Sequence, residues 1–102
     1  MVELRIVNPV AESQAAASGA ERFPPAGRTA SLDGRSIALF WNAKAGGDVA
    51  LARTRENLKR LYPTARFVDY FGAEGTHMRR ASTEQLDRIA SECDAAVGAT
   101  AD

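Results

Sequence analysis

The sequence runs to 102 residues and 10.9 kDa, which is room for a single domain. Thirteen basic residues balance thirteen acidic ones, which argues against nucleic-acid binding through a broad basic surface and against an acidic solvating tail. Hydrophobic residues make up 45% of the chain, but 20 residues are alanine, so few large side chains remain to build a core.

Val2-Glu3-Leu4-Arg5-Ile6-Val7 alternates apolar and charged residues, the period of a strand with one wet face, and Asn8-Pro9 ends it. From Ala11 to Ala30 the composition turns to Ala, Ser, Gly and Pro, which reads as a flexible arm anchored only at Phe23. Leu32-Asp33-Gly34-Arg35 is a turn. The nearly continuous apolar run Ser36 to Trp41 then suits a strand buried on both faces of a parallel sheet.

Asn42 to Gly47 is a loop, and Asp48 suits the N-cap of a helix reaching Leu61, with Leu51, Leu58, Leu61 and Tyr62 on one stripe. Pro63 stops it. Ala65 to Phe71 reads as a second core strand, followed by a polar loop from Gly72 to Ala81. Ser82 with Gln85 gives a capping-box pattern for a helix whose Leu86, Ile89, Ala90 and Cys93 share a stripe. Ala95 to Ala99 is the last strand. This alternation predicts one α/β domain over residues 1–102, a small and mainly parallel sheet with flanking helices, half of a Rossmann-like or flavodoxin-like fold.

Parallel sheets bind ligands beyond the carboxyl ends of their strands, so the loops there hold the candidate residues. Lys44, one of two lysines, is suited to bind an anion or to act as an acid, base or amine nucleophile. A plain solvated lysine is the other reading. Asn42 is placed to orient a ligand carbonyl or to make an Asx turn. Gly46 and Gly47 offer backbone N–H groups to an anion or simply serve a turn. His77 is a candidate acid/base or an ordinary surface histidine, and Arg79 a candidate carboxylate grip. No Cys/His cluster has the spacing of a metal site, and no pattern identifies a cofactor.

Cys93, the single cysteine, lies on the apolar stripe and reads as a packing residue in a reduced, cytoplasmic protein. No apolar run approaches a membrane span and no signal peptide is evident, so neither membrane nor nucleic acid is an expected partner. The sequence ends just after its last strand, without a helix to close the sheet. That leads to the expectation of a partner chain completing the domain, or of shortening from a longer ancestor.

Arg5-Ile6-Val7-Asn8-Pro9, Leu32-Asp33-Gly34, Ile37-Ala38-Leu39, Asn42-x-Lys44 and Cys93-Asp94-Ala95-Ala96-Val97-Gly98 together resemble the N-terminal portion of the UGSC family. That family is named for a selenocysteine or cysteine followed by Gly-Ser-Cys, placed after an aspartate that Asp102 would match. The motif itself is absent from this sequence. The resemblance implies a small subunit of a heteromeric α/β enzyme acting on a small organic substrate, its reactive thiol supplied by a partner subunit with a Cys-Gly-Ser-Cys-like segment. Asp102 would then lie near the reactive centre. The alternative is a binding or regulatory module that kept the fold and lost the thiols.

Overall fold

A computed structural model describes residues 2–9 and 24–100. Five elements follow one another: β1 (Ser36–Trp41), α1 (Gly47–Leu61), β2 (Arg66–Phe71), α2 (Thr83–Glu92) and β3 (Ala95–Ala99). The strands form one parallel sheet in the order β2-β1-β3. In register, Ile37 faces Phe67 on one side and Ala95 on the other, and Trp41 faces Phe71 and Ala99. The α/β class and the parallel sheet are as the sequence predicts, and the Ile37 strand is the central one.

The core is narrow. Ile37, Ala38 and Leu39 are each at most 1% exposed, because β1 alone has a neighbour on both edges and a helix over it. Burying side chains of the size of Ile37 and Leu39 is worth about 1.5–3 kcal/mol each. Leu51 and Ala65 complete the buried cluster, with Leu58, Tyr62, Phe67 and Val97 packed half-buried around it. Thus α1 covers the face that carries Ile37, Leu39 and Trp41. The opposite face carries Tyr70, whose hydroxyl meets α2.

Four sequence expectations need correction. Val2 to Val7 forms no strand here; Leu4 and Ile6 are 88% and 97% exposed, since no sheet edge lies beside them to take their hydrogen bonds. The N-cap of α1 is Gly46, not Asp48; Gly46 takes a left-handed conformation (φ 93°), so the helix starts at Gly47, two residues earlier, and Asp48 falls in the first turn. Leu61 is 69% exposed, because the last turn packs through Leu58 and Tyr62 and at 3.6 residues per turn Leu61 falls to one side of that stripe. Leu86 and Ala90 are exposed as well, leaving Ile89 and Cys93 as the half-buried residues of the α2 stripe. The arm expected over residues 11–30 lies outside the described residues up to 23, and residues 24–30 are exposed without regular structure.

Polar contacts hold α2 in place of apolar ones. Ser82 accepts a hydrogen bond from the Gln85 backbone N–H at 3.1 Å, as the capping pattern predicts. The Gln85 side chain does not return the bond. It donates to the Phe71 carbonyl at 2.8 Å and accepts from Ala73 N–H at 3.1 Å, tying α2 to the end of β2. At the other end of the helix, Tyr70 donates its hydroxyl to Glu92 at 2.7 Å, and Arg88 donates to the same carboxylate at 2.9 Å.

The Tyr70 hydroxyl, and then Arg88, hold the Glu92 carboxyl below its ordinary value of 4.5. Reciprocally, the hydrogen bonds to Glu92 and Cys93 raise the Tyr70 phenol above its usual range. Since the folded state lowers the Glu92 pKa, its contribution is complete above about pH 4.5 and is lost as pH falls through the depressed value. The variant Tyr70→Phe removes the larger cause. Its Tm, followed from pH 7 to pH 3, is expected to fall less steeply below pH 4.5 than that of the unaltered chain.

Candidate functional site

The turn after β1 is built by its own sequence. Asn42 is 3% exposed, and its Oδ1 accepts the Lys44 backbone N–H at 3.2 Å, closing an Asx turn. Between them Ala43 stands at φ 73°, the left-handed region in which alanine is costly. The Trp41 indole N–H then donates to the Lys44 carbonyl at 2.8 Å, and Gly47 N–H reaches the same carbonyl at 3.2 Å. Lys44 is therefore fixed through its backbone from three directions. Its side chain is half-buried and forms no ion pair among the described residues.

Immediately beyond, α1 begins. Gly46 has no side-chain cap to offer, so the Asp48 and Val49 N–H groups have neither a capping side chain nor a backbone acceptor among the described residues. A groove of about 390 Å³ opens between this helix start and the end of β3, walled by Gly46, Gly47, Thr54, Gly98, Ala99 and Thr100. It lies where the strand order reverses, since the chain leaves β1 for β2 on one side and arrives at β3 on the other. Gly47 keeps the helix close: a Cβ there would stand 2.9 Å from Trp41 Cδ1 and 3.3 Å from the Ala99 Cβ.

Asn42, Lys44, Gly46 and Gly47 are thus brought together at the carboxyl end of the central strand. Lys44 borders the groove in sequence but is not one of its walls. His77 and Arg79 lie on the other side of β1, in the loop after β2. His77 is exposed there. Arg79 is used by its own loop: Nη1 and Nη2 donate to the Gly75 and Ala73 carbonyls at 3.2 and 3.1 Å, and Nε donates to the Gly72 carbonyl. The guanidinium also stacks 4.8 Å from the centre of the Phe71 ring. One bond joins the two loops, Arg79 N–H to the Asn42 carbonyl at 2.8 Å. Asp102 lies outside the described residues.

Sequence reasoning missed Trp41 as a builder of the site. The signal was a lone tryptophan at a strand end, whose indole N–H needs an acceptor once its ring is partly buried. It also missed the walls given by β3, because a run of alanine and glycine carries no chemical pattern.

The sequence profile of the UGSC family matches residues 5–102, nearly the whole chain. The chain belongs to the UGSC family. Comparison with curated proteins and with solved structures returned no match. For this UGSC-family chain, no helix among the described residues is long and apolar enough to cross a membrane.

The Gly47 contact gives a test of how the UGSC chain shapes its groove. Gly47→Ala is expected to push the indole off the Lys44 carbonyl and to cost about 1–3 kcal/mol by overpacking. A lowered Tm together with a changed Trp41 fluorescence maximum would register both effects. Ala45→Gly, two residues before it and exposed, serves as the control.

Proposed function

We propose that this chain is the small subunit of a heteromeric UGSC-family enzyme acting on a small organic substrate, with the reactive thiol supplied by a partner subunit. The observation that supports the reading is the pairing of β3 with β1, which sets Ala99 opposite Trp41. A thiol segment presented alongside the end of β3 would therefore sit next to the Asn42–Gly47 loop. The single cysteine in this sequence, Cys93, contacts Tyr70 on α2's face of the sheet and precedes β3, at the opposite end of the strand from the groove.

In this reading Lys44 transfers a proton to or from the substrate as the thiol attacks or leaves. Its backbone is pinned while its ammonium stays without a carboxylate partner among the described residues, which suits a group that must change partners during turnover. Asn42 orients the turn, and Gly46 and Gly47 let an anionic substrate group approach the start of α1. His77 and Arg79 form the neighbouring rim. The order β2-β1-β3 suits the opening half of a flavodoxin-like, doubly wound sheet, and a lone thiol suits the cytoplasm.

The test is kinetic and needs the assembled enzyme. The chain, affinity-purified from its native cells, should carry a subunit with a Cys-Gly-Ser-Cys-like segment. In that complex Lys44→Ala should leave Tm nearly unchanged and lower turnover by ~100-fold or more. Lys44→Arg should restore activity only if the role is anion binding. Unchanged turnover in Lys44→Ala would return the residue to the solvated surface and favour a non-catalytic binding module.

A further inference from the structure

The segment from Val2 to Val7 has the pattern of a strand and none of a strand's bonds. Its large aliphatics stand open: Val2 is 85% exposed, Leu4 88%, Ile6 97% and Val7 73%. Alternation places Val2, Leu4 and Ile6 on one face of an extended segment and Glu3, Arg5 and Val7 on the other. The sheet, for its part, has two open edges, since β2 and β3 each pair only with β1 among the described residues. An open edge and an unpaired apolar segment are complementary.

The two edges differ in what they offer. On β3 the solvent-facing positions are Ala96 and Gly98, which give Leu4 and Ile6 little to pack on. The edge formed by β2 carries half-buried Phe67 and Val68, a Phe71 that is 47% exposed, and Asp69 with its side chain 72% exposed. Arg55 engages Oδ1 of Asp69, and Oδ2 takes no hydrogen bond among the described residues. Setting Arg5 opposite Asp69 brings a cation to that exposed carboxylate oxygen. In either strand direction it also lays Leu4 and Ile6 beside Val68 and Tyr70, and Val7 beside Phe67 or Phe71.

We propose that Val2–Val7 adds as a strand to the β2 edge of a second copy of this chain, with Arg5 opposite Asp69, and that the exchange is reciprocal. The segment lies off its own sheet although residues 8–35 would let it reach, being up to ~90 Å long when extended. A twofold exchange covers both segments and both β2 edges at once and closes the assembly at a dimer. It involves neither Lys44 nor the thiol-bearing subunit, so it stands or falls apart from the proposed activity.

The experiment uses the full chain in a Cys93→Ser background. Arg5→Cys and Asp69→Cys are prepared separately, mixed, and oxidised mildly. Directly opposed strand residues are within disulfide reach, so a mixed disulfide between residues 5 and 69, mapped by mass spectrometry, is the expected product. A 5–69 disulfide formed only within one chain, in the double variant, would overturn the proposal by placing the segment on its own sheet. No disulfide in either arrangement would overturn it as well. As a second measurement, Leu4→Asp combined with Ile6→Asp is expected to halve the mass seen by light scattering without altering the circular dichroism spectrum. A mass unaffected by those changes would also overturn it.

Discussion

Everything in this small protein hangs on the double pairing of β1. A strand with a neighbour on each edge, α1 over one face and α2 on the side of the other loses nearly all contact with water, and Ile37, Ala38 and Leu39 show that loss. Their burial fixes the register of both neighbours, because a shift of one residue would turn Ile37 and Leu39 away from α1. The same register decides that Trp41, Phe71 and Ala99 end side by side. The loops that carry candidate chemistry are therefore positioned by three buried residues several ångströms beneath them.

From that base the site is organised by main-chain bonds more than by side-chain charges. The Lys44 carbonyl receives both an indole and an amide N–H, and Asn42 spends its carbonyl oxygens on Lys44 and Arg79. Such bonds to a loop backbone fix where a side chain starts while leaving its tip mobile. On the β2 side Arg79 does the opposite, committing its whole charged head to carbonyls and an aromatic ring. Two cations on adjacent loops thus differ: the Arg79 guanidinium is bound to its own loop, and the Lys44 ammonium has no ion-pair partner among the described residues.

The strands β1 and β3 and the cap of α2 were legible in the sequence because each depends on local pattern: an unbroken apolar run, a short Ala/Val run after Asp94, and a Ser-x-x-Gln start. What was illegible depends on neighbours. Val2 to Val7 has the alternation of a strand, yet a strand exists only beside an edge, and alternation says nothing about which edge. The Asp48 cap gave way to Gly46, two residues earlier, where glycine takes the left-handed backbone that leads into the helix at no steric cost. For the site, Lys44 and Asn42 stood out by residue type and position, while Trp41 did not, since its role lies in one hydrogen bond across a tight turn.

Ala43 shows how little room this turn leaves to drift. In the left-handed region, alanine gives up roughly 1–2 kcal/mol that glycine would not. Glycine, however, frees the unfolded chain by about 0.4–1 kcal/mol, which returns much of that gain to the denatured state. Glycine keeps a net advantage of roughly 0–1.6 kcal/mol over alanine there, while valine, isoleucine or threonine would crowd the backbone further. Position 43 is thus a steric filter set by the backbone alone: a φ of 73° suits glycine and asparagine and opposes branched side chains.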